Sequence, residues 1–173
     1  MLTLPALREQ GLTVVIGLMD EQPVLEVIAR LARRSPVQVI VGGNRFDAHH
    51  LARIIRRQTV HLEQTLERIQ QSRPFTCYQA IKLLEETEAT TPLVVLDMLT
   101  TFYDENISDA ESVRLAKIAA GHLQRLGQGA PVLVTLRPPL IDMRAGLVKM
   151  VQAAAAHSYI YDFPEVPVQP PLW

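Results

Sequence analysis

Short runs of aliphatic and β-branched residues recur along this chain, each followed by a stretch with helical spacing, and this alternation constrains the fold more than any other feature. Leu12 to Gly17, Val37 to Val41, Leu93 to Leu96 and Pro131 to Leu136 are apolar at nearly every position. Strands with water on one face alternate apolar and polar residues, whereas continuous apolar runs belong to parallel sheets covered by crossover helices. A final strand is expected over His157 to Asp162. The expected fold class is therefore α/β, with a mostly parallel sheet and helices on both faces.

The intervening helices carry their own signals. Pro23 suits a first helical turn, and Val24, Val27, Ile28 and Leu31 follow at helical spacing while Glu26, Arg30, Arg33 and Arg34 face water. Gly42-Gly43-Asn44 makes a sharp turn, and Asp47 is placed to cap a helix over Ala48 to Arg57, with Leu51, Ile54 and Ile55 inward. Thr59 to Arg73 reads equally as helix or third strand, since Leu62, Leu66 and Ile69 fit the first while the position suits the second. Pro74 opens an expected helix over Phe75 to Thr87, with Tyr78, Ile81, Leu83 and Leu84 as its apolar positions. Ser108 and Glu111 form a capping box for a long helix to Leu126, and a last helix runs from about Leu140 to Ala156. Residues 1–163 are thus expected to form one core domain, followed by a Pro-rich tail over 164–173 that ends in the only tryptophan and suits docking on a partner.

Charge and composition narrow the functional classes. A chain of 173 residues, 48% hydrophobic and with net charge −1, can bury a full core, and its balance demands neither nucleic acid nor an anionic membrane. No apolar run approaches the ~20 residues that span a bilayer, and the N-terminus has no signal-peptide pattern. One cysteine, Cys77, cannot form an internal disulfide, so a reducing, cytoplasmic location and a core role for the thiol are expected. His49 and His50 are adjacent and point to different faces, so no metal site is expected of them.

Chemistry-bearing residues collect at strand ends. Leu93-Val94-Val95-Leu96-Asp97 ends a buried strand in a carboxylate, the position of a magnesium-coordinating Asp in phosphate-handling α/β proteins. The turn Gly17-Leu18-Met19-Asp20-Glu21-Gln22-Pro23-Val24 lacks the Gly-Lys-Ser/Thr of a phosphate loop and carries two acids instead. Those acids would repel a polyphosphate, by roughly 4 kcal/mol per pair of like charges about 4 Å apart at an effective dielectric of ~20. As helix caps they would take the place of the phosphate.

The ordered set of Gly11 with the strand Leu12 to Gly17, the segment Asn44 to Leu51, Leu66 to Leu84 with its Arg73-Pro74-Phe75 and Tyr78-Gln79-Ala80, the Leu93 to Tyr103 stretch, Leu115 to Leu126, Pro131 to Leu136 and Ala153 to Tyr161 resembles the core of the RecA/RadA recombinase family. The resemblance covers most of residues 10–162 and implies a three-layer RecA-like P-loop NTPase fold. In that family a lysine and a hydroxyl serve the phosphates and magnesium where this chain has Pro23-Val24, a degenerate Walker A, and the general base aligns with Gly43. Gly17, Asp20, Glu21 and Asp97 would then be remnants of a nucleotide site, with no catalytic residue and no cofactor expected. Asp97 would be held by hydroxyls such as those of Thr100 or Thr135.

The resemblance implies an accessory in DNA recombination or repair, acting through a protein partner, a homo-oligomer or another RecA-family subunit. Two alternatives remain: a nucleotide-binding ATPase subunit completing a site in trans, and a DNA-binding module using Arg-rich helices. The family's first DNA loop would fall on the acidic Asp104-Glu105-Asn106. Candidate phosphate contacts are Arg137, Arg144 and Lys149 near the second loop, and Arg53, Arg56 and Arg57 within a larger cluster with Arg30, Arg33, Arg34 and Arg45.

Overall fold

Every strand of the sheet is parallel to its neighbours. The computed structural model describes residues 4, 7, 10–140 and 142–161, so the Pro-rich tail lies outside the described residues. Six strands, β1 (Gly11–Ile16), β2 (Val37–Val41), β3 (Ile69–Ser72), β4 (Leu93–Leu96), β5 (Pro131–Leu136) and β6 (His157–Ile160), lie in the order β3-β2-β4-β5-β1-β6. Helices α1 (Gln22–Ala32), α2 (Ala48–Gln58) and the short α3 (Leu62–Glu67) cover one face. Helices α4 (Cys77–Glu86), α5 (Asp109–Gly127) and α6 (Ala145–Ala154) cover the other.

Burial on both faces explains the continuous apolar runs. Val14 and Ile16 of β1, Val95 of β4 and Val134 of β5 pack under Leu84, Leu115 and Leu123. Their alternating neighbours Val15, Val94 and Leu133 pack on the other side with Leu25, Ile28 and Ile55. Cys77 is fully buried in the first of these cores.

Local signals place most helix starts. The Asp47 carboxylate accepts the His50 N–H at 2.8 Å, and the Ser108 hydroxyl accepts the Glu111 N–H at 3.2 Å. Glu111 does not complete a capping box; its carboxylate accepts from Arg114 and from the Tyr78 hydroxyl. The ambiguous segment contains both elements, the short helix α3 and then β3 at the sheet's edge. The helix α4 starts two residues later than expected, capped by Thr76, and its buried side is Cys77, Ala80 and Leu84. Tyr78 is exposed, because the stripe that faces the sheet runs through Cys77, Ala80 and Leu84. Glu26 is half-buried and accepts a hydrogen bond from Gln22 instead of facing open water. The last helix begins at Ala145, after a 3-10 turn at Asp142–Arg144.

Candidate functional site

Parallel strands bring their C-terminal ends to one edge of the sheet, where α/β proteins generally hold ligands. Ile16 is in register with Leu136, and Val41 with Leu96, so the residues that follow, Gly17 with Arg137 and Gly42 with Asp97, meet along that edge. Gly17 has φ 81, a left-handed conformation that glycine adopts freely, and its N–H donates to the Leu136 carbonyl at 3.0 Å. This turns the chain away from the sheet into α1.

Asp97 is the one non-glycine residue with positive φ among the described residues, at φ 48 and ψ 48. It is 8% exposed, and its N–H donates to the Thr135 hydroxyl at 2.8 Å. Its carboxylate is not held by hydroxyls, as the sequence led one to expect. Instead, Oδ1 lies 3.0 Å from Nε of Arg137, in a close ion pair whose N–H is not aligned on the oxygen. A 3-10 helix over Met98–Tyr103 leaves Asp97 at once and buries Met98, Leu99 and Phe102.

Gly42 and Gly43 let β2 approach this residue. A Cβ at Gly42 would come within 2.6 Å of the Asp97 carbonyl oxygen, and one at Gly43 within 2.9 Å of Asp97 Oδ2. The Asp97 carboxylate therefore fills the space a side chain at position 43 would take.

The acids at the start of α1 divide their roles. Asp20 Oδ1 accepts the Gln22 N–H at 2.9 Å, which bears out a capping role for a carboxylate here. Glu21 makes no capping hydrogen bond, and its Oε1 is buried with no hydrogen-bond partner. Burial, reinforced by the neighbouring Asp97 charge, raises the Glu21 pKa above its ordinary value, against the pull of Arg137 and Arg45. Asp97 is raised too, by burial, with Arg137 and Arg45 opposing.

These residues do not fit a nucleotide polyphosphate. The N–H groups of Val24 and Leu25 go to the Glu21 carbonyl, that of Gln22 goes to Asp20, and Pro23 has none, so the first turn of α1 offers no free donor. Between Glu21, Asp97, Thr135 and Arg137 the remaining cavity is about 10 Å³, near the volume one water needs. Beyond it, a broad cleft of about 660 Å³ opens between the loops after β1 and β2, lined by Asp20, Glu21, Arg45, Asp47, His49 and His50 among others. Its mixed charges, with two carboxylates at the α1 end, give it no cradle for phosphate.

The other sequence candidates are scattered. Arg137 belongs to the Asp97 pair. Arg144 is folded against the chain: it pairs with Asp109 at 3.0 Å and donates to the carbonyls of Phe102, Asp104 and Ile107. Tyr103 closes the same loop by donating from its hydroxyl to the Arg137 carbonyl at 2.7 Å. Lys149 is exposed on α6, across the sheet from Arg53, Arg56 and Arg57, which are exposed on α2. Nothing in the local sequence announced Arg137 or Arg144 as partners, because their side-chain contacts span 35 residues or more. No group of His, Cys, Asp or Glu among the described residues could hold a metal, and no helix among them is long and apolar enough to cross a membrane. No protein-family model matches the chain, and no curated protein matches its sequence.

Proposed function

We propose that this chain is a non-catalytic α/β protein that acts through protein contacts at the C-terminal edge of its sheet, as an accessory in DNA recombination or repair. The observation that carries the reading is the closed strand-end site. Asp97 is paired with Arg137, the α1 start is capped by its own Asp20, and about 10 Å³ is left between them. The nucleic-acid context rests on the resemblance of the element order to RecA/RadA cores.

The same edge supports partner contact. Met19, Phe75, Leu140 and Met143, from the loops after β1, β3 and β5, are all exposed, and Arg73 stacks over Phe75 at 5.7 Å. Exposed methionine and aromatic side chains flanked by arginine are enriched in protein interfaces.

Calorimetric titration with ATP and magnesium tests the closed site. Binding weaker than millimolar and no hydrolysis above the blank are expected; micromolar affinity would overturn the reading. Phe75→Asp combined with Leu140→Asp should abolish recovery of a partner that the unmodified chain retains, with the fold unchanged.

A further inference from the structure

The motif Arg-x-x-Arg-Arg occurs twice, as Arg30-Leu31-Ala32-Arg33-Arg34 at the end of α1 and Arg53-Ile54-Ile55-Arg56-Arg57 at the end of α2. The apolar residues between the arginines, Ala32, Ile54 and Ile55, are buried, with Leu31 half-buried, and all six arginines are exposed. Both helices are crossovers from parallel strands on the same face, so they run in the same direction and pack side by side. Their arginine-bearing ends therefore lie together, at the end of the sheet opposite Asp97. Residues four apart along a helix are separated by ~6 Å and packed axes by ~8–10 Å, so six guanidinium groups crowd a small patch.

The charge is local and, among the described residues, unpaired. From residue 22 to 58 there are seven arginines against Glu26 and Asp47, a net +5 in a chain whose total is −1, so the remainder carries −6. None of the six forms an ion pair among the described residues, and the acids of the adjoining α3, Glu63 and Glu67, form none either. A further cation, Arg68, closes α1 by donating to the carbonyls of Ala32 and Arg33. The helix dipole favours cations in the last turn, but Arg53 lies outside it.

We propose that this paired arginine face binds the phosphate backbone of duplex nucleic acid, without regard to sequence. The surface is separate from the edge assigned to protein contacts. A duplex carries one phosphate charge per ~1.7 Å of axis, a density that such a patch matches. Single-strand binding uses aromatic platforms, and neither α1 nor α2 contains Phe, Tyr or Trp. Guanidinium contacts to phosphate alone carry no sequence information.

The test is fluorescence anisotropy of the full chain with a labelled DNA duplex of arbitrary sequence between 50 and 200 mM salt. Six contacts give a slope of log K against log salt of about −5, so affinity should fall roughly a thousandfold over that range. Arg30→Gln/Arg33→Gln/Arg34→Gln and Arg53→Gln/Arg56→Gln/Arg57→Gln should each remove about half the slope, with unchanged circular dichroism. Lys82→Gln/Arg114→Gln/Lys117→Gln, the same charge change on the opposite face, should leave binding intact. The proposal is overturned by no duplex binding at 50 mM salt, by equal loss in the control variant, by tighter binding of a single strand, or by binding to anionic vesicles in place of duplex.

Discussion

Gly43→Ala probes how tightly the sheet edge closes on Asp97. Position 43 is outside the left-handed region, so its backbone accepts alanine and the cost is steric. The new Cβ would stand 2.9 Å from Asp97 Oδ2, 3.0 Å from its Cβ and 3.4 Å from its Cγ. Asp97 has little room to yield, since its N–H is bound to Thr135 and its carboxylate is held by Arg137. Overpacking of this kind costs ~1–3 kcal/mol, and a tolerated Gly→Ala change offsets ~0.4–1 kcal/mol through the unfolded chain. The net expectation is a loss of about 1–2 kcal/mol, or a Tm lowered by roughly 2–8 °C for a chain of this size. Urea denaturation followed by circular dichroism should be run on the single variant, on Asp97→Gly and on the pair. Asp97→Gly removes the three atoms nearest the new methyl, so Gly43→Ala should become neutral or slightly stabilising in that background, a coupling of about 2 kcal/mol. If the two changes add within ~0.5 kcal/mol, the close packing of Asp97 on position 43 is refuted.

Two further outcomes follow from the same region. Arg144→Met should strand the carbonyls of Phe102, Asp104 and Ile107 and cost about 2 kcal/mol, with faster amide exchange near Asn106; unchanged exchange there would remove the clamp. Arg137→Met should act on pH dependence. Asp97 and Glu21 are already raised above the ordinary carboxyl values of about 3.9 and 4.3, and both are lowered by Arg137, so its removal makes the folded state hold their protons to still higher pH. The variant's deficit should therefore be small near pH 3, grow as pH rises through the raised folded values, and level off above them. A deficit that does not change with pH would contradict this.

The strands were legible because burial on both faces leaves no room for polar alternation, and four of them fall within a residue of the expected bounds. The cap at Asp47 was also local enough to read. The buried side of α4 was harder to read, because large apolar residues such as Tyr78 dominate periodicity while the stripe itself is Cys77, Ala80 and Leu84. Asp97 could be located at its strand end, but its partner could not. Arg137 looked like a solvent-facing cation, and only the pairing of β4 with β5 brings it against the carboxylate. Arg144 posed the same difficulty, since three carbonyl acceptors on a distant loop leave no sequence pattern.

The place of β1 in the sheet bears on how the chain acquires its structure. Its two neighbours are β5 and β6, more than a hundred residues further along, while β2, β3 and β4 form a contiguous block in which no strand pairs with it. Such pairing gives a high contact order, and the loop entropy must be met before β1 gains any hydrogen bond. During synthesis this strand, buried and apolar except at Gly11 and Thr13, is therefore the first of the six made and among the last satisfied. Until β5 and β6 emerge, it is the segment most exposed to wrong pairing.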